Sequence, residues 1–128
     1  MRLLLDTHTF LWWTANDARL SQKAEAAVAN ASSEVFVSTV NGWEIAIKAR
    51  LGKLPLPEAP DLFMARMVQR HAFGVLPVSL AHAVHEYHLP AHHSDPFDRL
   101  LVAQAQLEKL ILVSDDALIG QYAVDTLW

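Results

Sequence analysis

Three short apolar runs constrain this chain more than any other feature: Arg2–Leu5 (RLLL), Glu34–Ser38 (EVFVS) and Leu110–Val113 (LILV). Stretches with helical spacing separate them, and none shows the apolar–polar alternation of a strand with one wet face. A run that is apolar throughout has to be covered on both sides. Strands alternating with helices meet that condition in a parallel sheet sandwiched between helical layers. The expected fold is therefore α/β, a three-layer α/β/α arrangement around a short parallel sheet of four to five strands, in a single domain over residues 1–128.

The spacing predicts helices over His8–Ala15, from a Ser21 cap to about Ala31, and over Asn41–Leu51, Asp61–Ala72, Leu80–Tyr87, Pro96–Lys109 and Asp116–Gln121. Within Asn41–Leu51, Trp43, Ile47 and Leu51 recur four apart, which predicts an apolar face, and Gly52 is a natural terminator. Lys53–Pro60 carries three prolines and reads as a connection, and Leu89–Ser94 as a loop. Further strands are expected at Gly74–Val78 and Val124–Trp128.

Composition narrows the chemistry. With 128 residues, 52% hydrophobic and 19% charged, the chain can bury a substantial core. It has no cysteine, so disulfides and thiolate metal sites are unavailable. Leu3–Leu5 is too short for a signal-peptide core and Asp6 interrupts it, while no apolar run approaches the roughly 20 residues that span a bilayer. A cytoplasmic location and no membrane partner are expected. The net charge of −4 argues against a generally basic nucleic-acid coat, though not against a local basic patch or a cation held by clustered acids.

Acids stand where strands give way to helices. Asp6 ends the first strand, Glu44 lies in the first turn after EVFVS, Asp98 in the first turn of the long helix, and Asp115 and Asp116 follow LILVS. In a parallel sheet these junctions share the C-terminal edge, where α/β folds gather functional groups. Each acid also has a local reading. Asn41 to Glu44 fits a capping box, Asp95-Pro96-Phe97-Asp98 a cap with proline at the first helical position, and Ser114-Asp115-Asp116 a cap with dipole-complementing acids. Together, four carboxylates in one crevice repel one another strongly at reduced dielectric, and a hard divalent cation would neutralise them. Oxygen-only ligands favour Mg²⁺ or Mn²⁺ over Zn²⁺.

The segments LLLDTHTFLWW, STVNGWEIAIKARLGKL, DPFDRLLVAQAQ and LVSDDALIGQY follow in an order and spacing that resemble the PIN-domain nucleases, in particular the VapC-like toxins of bacterial toxin–antitoxin pairs. The resemblance covers nearly the whole chain. It implies four catalytic acids, Asp6, Glu44, Asp98 and Asp116, with Asp6, Asp98 and Asp116 holding metal. Asp115, one residue from Asp116, could take its place, and Thr7 and Ser114 would support the acids by hydrogen bonds. It further implies Mg²⁺- or Mn²⁺-dependent hydrolysis of RNA by a metal-activated water, a homodimer, and a cognate antitoxin that inhibits the enzyme.

Other residues carry competing readings. His82, His85, His88, His92 and His93 invite a metal site, but a short helix and loop lack the fixed geometry of a closed tetrahedral one, so capping, solvated or partner-contacting histidines are expected. Trp12 and Trp13 read as packing rather than base-stacking platforms, and Trp43 as part of its helix's apolar face. Lys48 could pair with Glu44 one turn away or guide a phosphate, and the role of Arg99 beside Asp98 stays open. Two rival functions remain. An aspartyl-phosphate phosphotransferase also places an Asp after its first strand, but Asp6-Thr7-His8 lacks the second Asp that pattern needs. A catalytically idle module would dock a basic partner in the acidic pocket without cutting.

Overall fold

The computed structural model describes residues 1–128. Its strands are β1 (Arg2–Leu5), β2 (Glu34–Ser38), β3 (Gly74–Leu76), β4 (Ile111–Val113) and β5 (Thr126–Leu127). Its α-helices are α1 (Thr7–Thr14), α2 (Gln22–Ala29), α3 (Thr39–Arg50), α4 (Pro60–His71), α5 (Leu80–His85) and α6 (Pro96–Glu108), with 3₁₀ turns at Glu86–His88 and Ile119–Gln121. The five strands form one sheet in the order β3-β2-β1-β4-β5, and every pairing is parallel.

The leucine run occupies the middle of this sheet. Leu4 of β1 stands opposite Phe36 of β2 on one side and Leu112 of β4 on the other. Side chains alternate across a strand, so Leu3 and Leu5 pack on one face against Phe10, Ala24, Val28, Ile45, Phe63 and Met67 of α1 to α4. Leu4 and Leu112 pack on the other against Leu101, Val102 and Ala105 of α6. Leu3, Leu4 and Leu5 are all 0% exposed. The expected three-layer α/β/α arrangement is therefore present, with five strands, and each layer of helices covers one face of β1.

Boundaries moved where side chains compete for backbone groups. Helix α3 starts at Thr39 rather than Asn41, because Ser38 takes the cap: its Oγ accepts from Val40 N, and Asn41 Oδ1 accepts from Ser38 N at 2.7 Å. Glu44 is thereby the sixth helical residue, not the third. The helix also presents a different face to the core. Val40, Asn41, Glu44 and Ile45 are buried, whereas Trp43 and Leu51 are more than half exposed, contrary to the expected Trp43–Ile47–Leu51 stripe. Trp43 instead meets Phe97 edge-on at 5.1 Å. Gly52, at φ 72°, ends α3 as expected. Strand β3 stops at Leu76 and β5 spans only two residues, while the helix expected over Asp116–Gln121 is a single 3₁₀ turn.

These assignments predict opposite costs on α3 and β1. Leu4→Ala should lower unfolding free energy by about 2–5 kcal/mol in urea titrations, as for a fully buried leucine. Leu51→Ala, on the exposed side of α3, should change it by no more than about 0.5 kcal/mol.

Candidate active site

All the parallel strands end at one edge of the sheet, and the acids gather there. Asp6 follows β1 directly and caps α1: one carboxylate oxygen accepts from Thr9 N at 2.8 Å. The residue is only 3% exposed. Burial raises its pKa above the usual carboxylate range, and hydrogen bonds from Ser114 and Thr9 work in the other direction. The odd charge after the leucine run is therefore both a cap and a desolvated acid.

Glu44 reaches the same edge from α3 and is equally buried. Thr7 donates its hydroxyl to Glu44 Oε1 at 2.6 Å, and Asn41 Nδ2 donates to Thr7 Oγ1 at 3.0 Å. Asn41 Oδ1 is in turn held by Ser38 N, so an unbroken chain of hydrogen bonds runs from the end of β2 to the Glu44 carboxylate. The other oxygen, Oε2, pairs with Lys48 Nζ one turn along. Burial opposes the Lys48 charge, yet its pKa is raised, because Glu44 hydrogen-bonds it and Asp95 and Asp98 add their fields. Of the two readings of Lys48, the intrahelical pair is present, and it points into the acidic crevice.

Helix α6 runs back across the sheet, which brings its N-terminus to this edge. Asp95 caps it, accepting from Phe97 N at 2.8 Å and Asp98 N at 3.2 Å, with Pro96 at the first position. Asp98 carries a strongly perturbed carboxyl. Burial first, then the charges of Asp95, Glu44 and Asp6, push its pKa up to about 7, with His93 opposing. Asp6 and Glu44 are therefore near enough for their charges to act on Asp98.

Asp116 joins through a residue the motifs did not single out. His93 Nε2 lies 2.9 Å from Asp98 Oδ2 and 3.2 Å from Asp116 Oδ2, and the three donor atoms fall within 4.8 Å of one another. The second Asp116 oxygen accepts from Leu118 N at 2.8 Å, and Asp116 N donates to Ser114 Oγ at 3.1 Å. Asp115 is exposed and makes no such contact. Arg99 grips the loop that carries His93, donating to the carbonyls of Glu86, Leu89, Pro90 and His93 and to the Tyr122 hydroxyl. His82 and His85 take no part: His82 Nδ1 accepts from Ser79 N in a capping box, and His85 meets Gln106. Trp12 packs between His8, Trp128 and the Arg19 guanidinium, and Trp13 against His71, so both act in packing.

Asp98 supplies a pH dependence. Its folded pKa, about 7, exceeds the ordinary 3.8, so folding favours the protonated form. That contribution is fully present below the unfolded pKa and is lost as pH rises through the folded one. In EDTA, urea midpoints should therefore fall between about pH 5 and about pH 7.5, and Asp98→Asn should flatten the fall. An unchanged slope in the variant would remove the assignment.

The PIN domain family profile matches residues 3–125. The chain is 33% identical over 117 residues to Ribonuclease VapC22 of Mycobacterium tuberculosis, covering 89% of this chain and 86% of that protein. A shorter stretch of 63 residues is 35% identical to Ribonuclease VapC16 of the same organism, 49% of this chain and 45% of the relative. Among solved structures, the fold is similar to a chain of VapBC2 from Rickettsia felis bound to a promoter DNA fragment (TM-score 0.72, 12% identity, covering 99% of this chain and 98% of that one). It is also similar to a chain of DNA-bound VapBC from Salmonella typhimurium (TM-score 0.68, 16% identity, covering 99% and 97%). With its acids gathered at the sheet edge and this profile running almost end to end, the chain belongs to the PIN-domain family, in its VapC-like branch.

Proposed function

We propose that this chain is the ribonuclease toxin of a toxin–antitoxin pair, cutting RNA phosphodiester bonds with Mg²⁺ or Mn²⁺ at Asp6, Glu44, Asp98 and Asp116. The observation that carries the reading is the convergence of carboxylates from separate segments on one partly desolvated crevice, where burial and mutual repulsion push Asp98 to about 7. Carboxylates so placed suit a hard dication: their donors are oxygens, and Lys48 is the lone ammonium among the groups acting on them. Relatives bearing the name ribonuclease support the same reading.

In this proposal Asp6, Asp98 and Asp116 would hold the ion, which when bound supplies Lewis acidity and a water of lowered pKa. Asp6 caps α1 and accepts from Thr9 N, so its orientation is set by the backbone before any ligand arrives, and Asp98 stands in the first turn of α6. Ser114 supports Asp6 and Asp116 alike. Glu44, held by Thr7 and Lys48, would serve the reaction as a proton acceptor, while Asp115, turned to solvent, contributes only to the field. Lys48 offsets one negative charge and offers the approaching phosphate a cation.

The antitoxin partner is supported by similarity to toxin–antitoxin complexes and by a groove of about 480 Å³ between α1 and the proline-rich connection. Leu11, Trp12, Leu54, Leu56 and Phe63 line it, which suits an apolar segment, and the acidic crevice would accept a basic side chain. We extend the proposal to a homodimer and to a single domain over residues 1–128. No helix is long and apolar enough to cross a membrane.

Purified protein should cleave RNA in Mg²⁺ or Mn²⁺ and lose cleavage in EDTA. Asp6→Asn and Asp116→Asn should each lower the rate by about 100-fold or more, and Asp115→Asn should stay near wild type. Cleavage undiminished in Asp6→Asn would sink the assignment, and antitoxin binding without turnover in any metal would favour the idle binding module.

A further inference from the structure

We propose that His93 is a positioning residue that holds Asp116 beside Asp98 at the spacing of a shared ion, with its Nε2 hydrogen-bonded to Asp116 and in close contact with Asp98, without itself binding the ion. This rests on the metal-dependent reading above. Asp95 N lies 3.3 Å from His93 Nδ1, and a backbone N–H can only donate, so Nδ1 is an acceptor and the ring proton sits on Nε2. That N–H is hydrogen-bonded to Asp116 Oδ2 at 3.2 Å, and Nε2 also lies 2.9 Å from Asp98 Oδ2. An Nε2 that carries a proton has no lone pair for a metal, so His93 serves the acids rather than the ion.

The rest of the loop is built to keep it there. His93 N donates to the Tyr122 hydroxyl at 2.9 Å, and Arg99 Nη1 donates to both that hydroxyl and the His93 carbonyl. Arg99 follows Asp98 on α6, and Tyr122 closes the 3₁₀ turn that follows Asp116. Each acid thus has a neighbour in its own segment that grips the histidine loop. His93 is itself largely buried, with 11% of its side chain exposed, so water competes weakly for its proton. Asp98 and Asp116 come from α6 and from the end of β4, which share no backbone hydrogen bond at this point. His93 is the side chain that contacts both, and partners of this kind around ligating carboxylates typically govern affinity by about 10- to 100-fold.

Three variants read this out through Mn²⁺ binding, measured by calorimetry and by EPR on RNA-free protein. His93→Ala removes the ring, His93→Phe keeps its bulk without the donor, and His93→Gln offers an amide N–H in its place. The expected result is a roughly 10- to 100-fold weaker Mn²⁺ affinity for Ala and Phe, recovery to within a few-fold for Gln, and no nitrogen coupling to Mn²⁺ in the wild type. Should the alanine variant fail to fold, the Phe and Gln pair decides alone. Full affinity in His93→Phe would overturn the proposal, and so would a nitrogen coupling that vanishes with His93, which would make it a ligand. A wild type that binds no Mn²⁺ removes the ion-binding reading together with this one, whereas tight binding by both wild type and His93→Phe removes this one only.

Discussion

Negative charge kept out of water at the C-terminal edge of β1 is the constraint on which the surrounding structure depends. An isolated buried carboxylate is costly, and here the charges of Asp6 and Glu44 also act on Asp98. The fold answers with oriented dipoles and donors rather than a matching set of buried cations. Asp6 and Asp95 each sit at a helix N-terminus and accept its free N–H groups. Glu44 is reached by a relay from Ser38 through Asn41 and Thr7. Lys48 and His93 supply the remaining partners. Burial and the neighbouring charges together raise the Asp98 pKa to about 7.

That arrangement needs a rigid floor. Leu3, Leu4 and Leu5 are fully buried between two helical layers, so the residue that follows them has little freedom in where it points. Asp6 N is bonded to Val113 O and Thr9 Oγ1 to the same carbonyl, which ties the start of α1 to the end of β4. The neighbouring junctions are set by the same parallel pairing. Packing in the sheet therefore brings the acids to one edge, and local hydrogen bonds set their alignment.

The second half of the crevice is assembled differently. Asp98 and Asp116 belong to elements that meet only through side chains and a loop. There Arg99 and Tyr122 act as a clasp on residues 86–93, and His93 is hydrogen-bonded to Asp116 and contacts Asp98. In a VapC-like PIN domain this separates the site into a half fixed by the sheet and a half fixed by a hydrogen-bonded loop.

Much of this was legible in the sequence because it depends on local rules. Apolar runs without alternation specify a parallel sheet covered on both faces, and acids at successive strand ends then fall on one edge. The Asp95 cap with Pro96 followed from residue types alone. What the sequence left open turned on rotation and long-range contact. Whether Trp43 or Glu44 faces inward depends on where α3 begins, and Ser38 outcompetes Asn41 for that cap only once β2 delivers it to the helix start. Asp115 and Asp116 are neighbours with the same chemistry, and only the 3₁₀ turn beyond them directs Asp116 toward His93. The histidine itself lies in a loop with no periodicity to mark it, and its partners are contributed by a helix and a strand end from elsewhere in the chain. The sequence by itself determined which edge would carry the charge, because hydrophobic period and helix capping act over a few residues. Only the tertiary structure decided which side chains share it, because hydrogen bonds between distant segments exist only after the sheet has brought those segments together.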